Sequence, residues 1–335
     1  MNRWLSPALR LAATLALLGM LAWQLDTDRL LSRLADLSPG WVLLAVLIGV
    51  PQVVLSAWRW RMTAHQIGIA LPWPTAIREY YLATFLNQVL PGGVMGDAAR
   101  AWRHGSTRER PNARASSPSG AAIRAVIIER ASGQLALLLV AVAAILLSPA
   151  LRGGIGGWWE VHDNMALWLL LAILLASAAI IQRLRHRPWP PLASFGRDAR
   201  RALLALSVWP AQLAGSLLIV ATYMAVFLCA AQALGLSRSV SEWLPLIPPL
   251  LMAMAIPLTV AGWGLREGAA AVIWPLAGLP AQEGVALSVT YGLLILAASL
   301  PGLAVLLWGR RPNRQATRPV RTPAQGESAP GGHPG

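Results

Sequence analysis

The apolar residues of this chain arrive in uninterrupted runs rather than on alternating faces. Runs at about 8–25, 41–58, 125–148, 165–182, 206–234 and 286–308 are each long enough to cross ~30 Å of hydrocarbon as a helix. Inside a bilayer each backbone N–H and C=O needs an internal partner, so such runs can only be helices. The fold class expected is therefore an all-α polytopic membrane protein. Only 13% of the 335 residues are charged, against roughly 25% in soluble domains, which leaves little material for a soluble domain. The first run follows Arg3, is longer than a signal-peptide core and lacks a small-x-small cleavage pattern, so it reads as a retained helix.

The formal net charge is +14, and every basic residue is Arg. The arginines cluster in short segments between apolar runs, which favours a topology signal over nucleic-acid binding. The segment 100–124 holds Arg100, Arg103, Arg108, Arg110, Arg114 and Arg124 against Glu109. The segment 183–201 holds Arg183, Arg185, Arg187, Arg197, Arg200 and Arg201 against Asp198, and the tail from Arg310 is similar. In contrast, 26–40 carries Asp26, Asp28 and Asp36 against Arg29 and Arg33. Placing the Arg-rich segments in the cytoplasm puts both termini there, in a cell inner (plasma) membrane. Parity then requires the stretches 76–100 and 244–283 each to enter and leave on one side. Six full spans plus two opposed re-entrant helical hairpins satisfy the charges; simple hydropathy would count eight spans. Residues 1–310 form the membrane domain, and 311–335, rich in Arg, Pro, Gly and Ser, are expected to be disordered.

Both interrupted stretches carry Pro, Gly and charge. The first holds Asn87, Pro91, Gly92, Gly93, Gly96, Asp97 and Arg100. The second holds Pro257, Gly262, Gly264, Arg266 and Glu267. Pro ends a helix by removing an N–H and clashing with the preceding turn, and the glycines permit the reversal. A helix restarting near Asp97 would aim its positive end at an anion. In each stretch a Gly follows the Pro by five residues, which suggests the inverted repeat of many transporters. Glu129 and Arg130 stand near the start of a span. They either face a cavity or snorkel at the interface. Gly133 and Gln134 would allow close helix packing there.

The usual catalytic signatures are missing: there is no Ser-His-Asp order, P-loop or dinucleotide fingerprint. The five His show no ligand spacing, so neither metal nor cofactor is expected. Cys229 stands alone and excludes an intrachain disulfide.

The series Asn87-x3-Pro91-Gly92-x3-Gly96-Asp97-x2-Arg100, then Glu129-Arg130, then Gly262-x-Gly264-x-Arg266-Glu267, resembles the lysylphosphatidylglycerol synthase transmembrane family over about residues 5–310. Members have flippase-like helical membrane domains. The best-known move aminoacylated phosphatidylglycerol between leaflets, and others are associated with polyprenyl-linked glycans or hopanoids. Those larger proteins carry a soluble transferase domain after the membrane region. Here a short tail follows, so the resemblance implies the membrane half alone, not an enzyme, with a separate lipid-modifying transferase as its expected partner. Val94 and Met95 intervene where the family often has further glycines before the Asp.

The function expected is translocation of a phospholipid or other lipid-linked anionic headgroup. Arg100 and Arg266 would fork onto phosphate. Asp97, Glu129, Arg130 and Glu267 would position them, and Asn87 with Gly92, Gly93, Gly96, Gly262 and Gly264 would complete the lining. The alternative is an enzyme or subunit acting on lipid-linked headgroups, with Asp97 or Glu267 as base. Membrane lipids are the partners in either case, and the oligomeric state stays open.

Overall fold

A computed structural model describes residues 32, 34–90, 93–106, 118–154, 190–203, 205, 207–254 and 259–308, with isolated residues 12, 15, 16 and 19 before them. The elements are α1 (Pro39–Gln66), α2 (Trp73–Val89), α3 (Met95–Ser106), α4 (Pro118–Leu147), α5 (Pro149–Gly154), α6 (Pro190–Leu203), α7 (Trp209–Ala233), α8 (Val240–Trp243), a single 3-10 turn (Leu244–Leu246), α9 (Ile247–Ala253), α10 (Leu265–Leu276) and α11 (Ala281–Trp308). Proline opens several of them, including α1, α2 and α7, where its fixed φ suits the first turn and its missing N–H is not needed.

Four helices are long and apolar enough to cross a membrane: α1, α4 from Gly120, α7 and α11. They correspond to the runs at 41–58, 125–148, 206–234 and 286–308. The runs at 8–25 and 165–182 lie outside the described residues, apart from isolated positions in the first. The helices outlast the apolar windows. Thus α1 continues past Trp58 to Gln66 and buries Arg59, Trp60, Thr63 and Ala64, because those side chains meet other helices rather than water.

Two hydrogen bonds fix the order of the ends. The Ser38 N–H donates to the Ala233 carbonyl at 3.0 Å, joining the start of α1 to the end of α7. Gln212 Nε2 donates to Thr63 Oγ1 at 2.8 Å, joining the end of α1 to the start of α7. These helices are therefore antiparallel. The pair α2–α3 departs from the end where α1 finishes. The pair α9–α10 departs from the opposite end, where α7 finishes. The tips touch in the interior: the Cβ position of Gly93 falls 3.9 Å from Ala261 Cα.

Packing relies on small residues where helices cross, since lipid gives no hydrophobic drive for helices to associate. Gly49 meets Ala298, and Gly302 of α11 lies on the Tyr81 carbonyl of α2. One apolar core gathers α7, α9, α10 and α11 around Phe227, Trp243 and Trp274, with Phe227 stacked on Tyr291 at 3.9 Å. A smaller core gathers α1 to α4 around Trp60. Leu43, Leu47, Leu218, Leu293 and Leu300 are left exposed on the outer faces, where a bilayer would be their solvent.

Candidate functional site

Charges occupy the space between these two cores. On α1 the residues Gln52, Ser56, Arg59 and Thr63 recur at helical spacing and form a buried polar stripe. Arg59 crosses to α4, where its Nη2 meets Glu129 Oε1 at 2.5 Å. The other carboxylate oxygen of Glu129 takes Arg100 Nη2 from α3 at 2.6 Å. The same Arg100 nitrogen lies 2.9 Å from Asp97 Oδ1. Asp97 Oδ2 in turn accepts Arg130 Nη1. The result is an unbroken alternation: Arg59, Glu129, Arg100, Asp97, Arg130. Glu129 is 1% exposed and Arg100 1%. Taking such ions out of water costs several kcal/mol each, a cost offset only by close counter-charges and filled hydrogen bonds. The alternation supplies both, with Arg59 Nη1 also donating to Ser216 Oγ at 2.8 Å.

Local chemistry sets each position. The Gly96 N–H at the start of α3 donates to Asn87 Oδ1 at 2.8 Å, while Asn87 Nδ2 donates to Asp97 Oδ2 at 3.1 Å. The positive end of α3 is thus met by the Asn87 side chain, with the acidic Asp97 in its first turn. Gly96 has no side chain because α3 runs against the Ala83 carbonyl of α2. Gly133 serves the charges: its Cβ position falls 2.7 Å from Arg59 Nη2, so any side chain there would displace the guanidinium. Arg130 Nη2 donates to the Gly93 carbonyl at 3.2 Å and so ties α4 to the hairpin tip. Arg100 also lies against two rings, 4.8 Å from Trp60 and 4.5 Å from Tyr80, a favourable setting for a cation.

These side chains border a cavity of about 210 Å³, which Met254, Ala261 and Tyr291 border from the second hairpin's side. Arg59 Nε, Arg100 Nε and Arg100 Nη1 are buried donors with no hydrogen-bond partner among the described residues. Three arginines face two carboxylates, so the site carries one excess positive charge.

Of the residues singled out in the sequence, Asn87, Gly93, Gly96, Asp97, Arg100, Glu129 and Arg130 gather here. Glu129 is buried and pairs with two arginines. Gly92 lies outside the described residues. Gly262, Gly264, Arg266 and Glu267 form a second, charge-neutral cluster. Gly264 opens α10 at φ 86°, a conformation suited to glycine, and its N–H donates to Glu267 Oε2 at 2.7 Å. Glu267 Oε1 takes Arg266 Nη2 at 2.7 Å and the Ser288 hydroxyl at 2.9 Å. The guanidinium lies 5.2 Å from both the Trp263 and Tyr291 rings, and Gly292 leaves room for it. Tyr291 thus stands between the cavity and this cluster. Sequence reading did not single out Arg59, Ser216 or Tyr80. The polar stripe on α1 was the available signal for Arg59.

Among the described residues no group of three or more His, Cys, Asp or Glu is placed to hold a metal ion. The family model described as the lysylphosphatidylglycerol synthase TM region matches residues 8–302. No curated protein matches the chain, and no solved structure does. The charged hairpins, the four long apolar helices and a family match over nearly the whole described chain agree: this is a multi-pass membrane protein belonging to the lysylphosphatidylglycerol synthase transmembrane-region family.

Proposed function

We propose that this chain carries a lipid with an anionic, phosphate-bearing headgroup between leaflets. The observation that supports this best is the alternating ion chain with one excess positive charge, whose residues border one cavity and whose arginines keep three buried guanidinium nitrogens without a hydrogen-bond partner among the described residues. A phosphate diester brings one negative charge and accepting oxygens that suit those donors. The cavity is smaller than the roughly 300–1,000 Å³ of whole small-molecule sites. A headgroup would occupy it while the acyl chains stay in lipid. In this reading the two hairpins are re-entrant, meet at mid-membrane and part to pass the headgroup. The membrane is the cell inner membrane, with both termini cytoplasmic, and a separate transferase would supply any modified lipid. Asp97, Glu129 and Glu267 already accept arginine hydrogen bonds, which makes them poor general bases and disfavours the enzymatic alternative.

The test is a liposome assay in which fluorescent phosphatidylglycerol is quenched from outside. Arg100→Ala removes charge-assisted bonds worth about 1.5–3 kcal/mol each, so the translocation rate should fall by about tenfold or more. An unchanged rate in a variant that still folds would remove the cavity from the transport path.

A further inference from the structure

A second feature lies away from the cavity, on α6. Its sequence PPLASFGRDARRAL sorts onto two faces. Arg197, Arg200 and Arg201 stand at i, i+3 and i+4 on one side, and all three are exposed. Phe195, Ala199, Ala202 and Leu203 lie on the other and are wholly or partly covered. The single acid of the helix, Asp198, is turned away and accepts Arg124 Nε from α4 at 2.7 Å. This leaves the arginine face without an acidic residue of its own helix to neutralise it.

Contacts fix where this helix sits. Gln212 Nε2, in the first turn of α7, donates to the Ala202 carbonyl at 3.3 Å and also to Thr63 Oγ1 of α1 at 2.8 Å. Arg124 stands in the first part of α4. The end of α1, the start of α4 and the start of α7 are all ends of bilayer-length helices, and they share one end of the bundle. So α6 is held against the ends of three bilayer-length helices, at the level where a bilayer would present its headgroups. An amphipathic helix with a basic polar face at that level has the pattern of an interfacial lipid-binding element.

We infer that the Arg197, Arg200 and Arg201 face of α6 is a binding surface for anionic phospholipid headgroups of the leaflet at that end. The charge is complementary: three exposed guanidinium groups meet lipid phosphates that carry uncompensated negative charge. A solvated face serving only as a topology signal would show no preference among lipids, and this one should. The inference is independent of what the central cavity carries, since none of the three arginines borders it.

The experiment uses the full chain in membranes of equal phosphatidylglycerol and phosphatidylcholine, extracted gently. Mass spectrometry then measures the ratio of the two lipids retained. Wild type should retain phosphatidylglycerol in excess. A near-surface arginine is worth about a fivefold change in partition to anionic lipid, so R197Q/R200Q/R201Q should lose at least about fivefold of that excess. Arg238→Gln, at the opposite end, should retain it. Raising NaCl from about 0.1 to 1 M shortens the screening length from ~10 to ~3 Å and should shrink the wild-type excess without any variant. Absence of an excess in wild type, an unchanged ratio in the triple variant, or an excess insensitive to salt would each overturn the assignment.

Discussion

Arg59 Nη2 and Glu129 Oε1 lie 2.5 Å apart, joining α1 to α4 across 70 residues of sequence. Glu129 is also the only group that links Arg59 to Arg100 in the ion chain. Removing its charge would leave buried Arg59 with no carboxylate partner and Arg100 with Asp97 alone. Loss of one partner of a buried ion pair costs about 3–5 kcal/mol. Glu129→Gln should therefore lower the thermal midpoint more than any other single change at the site. Cys229 is buried and is the single cysteine, so a thiol-reactive dye reports unfolding directly. A midpoint within a degree or two of wild type would show that the ion chain does not hold α1 against α4.

Gly96 makes a steric prediction. The start of α3 presses on the Ala83 carbonyl, which is backbone and cannot swing aside. Gly96→Ala must push α3 off α2, at a cost of about 1–3 kcal/mol for overpacking. Gly268 in α10 has nothing within 4 Å of its Cβ position. Gly268→Ala should instead gain roughly 0.5–1 kcal/mol from helix propensity. Opposite signs in the same dye assay are expected, and equal effects would contradict the geometry.

Asn87 should matter for position more than for stability. It accepts from the Gly96 N–H and donates to Asp97. Asn87→Ala removes a cap-like bond worth about 0.5–2 kcal/mol and frees Asp97 to rotate on Arg100. Asn87→Asp would keep the acceptor but set a second negative charge beside Asp97. Translocation should fall in both variants and further in Asn87→Asp. A rate in Asn87→Asp equal to wild type would mean that Asp97 needs no neutral neighbour.

Much of this was legible in the sequence because apolar length and Pro/Gly breaks are local signals. The helices α1, α4, α7 and α11 follow from runs of apolar residues, and the broken pairs from residues that cannot continue a helix. Glu129 was visible as a charge in a span. Arg59 was not, because it ends an apolar window and an arginine there reads as the cytoplasmic edge. Its partners Glu129 and Ser216 lie 70 and 157 residues away, a distance that no local pattern encodes. Arg266 and Glu267 were legible as charges but not as a pair closed on itself. Their closed geometry depends on Ser288 and on the space left by Gly292, both on α11.

The contact between the hairpin tips yields the most direct test of transport. Ala261 has φ 51°, a conformation that a residue with a Cβ adopts at a cost of about 1–3 kcal/mol. It is held there between Gly93 of the opposite tip and the turn that leads into α10. Arg130 holds the other side by donating to the Gly93 carbonyl. If a headgroup draws Arg130 away, Gly93 is released and the tips separate. Cysteines at the two positions, in a Cys229→Ala background, should be close enough to join, since bridged residues have Cα atoms about 4.4–6.8 Å apart. Oxidised Gly93→Cys/Ala261→Cys protein should translocate little lipid, and reduction should restore the rate of the unlinked variant. Full transport with the tips joined would mean that the headgroup passes elsewhere, even with the ion chain intact.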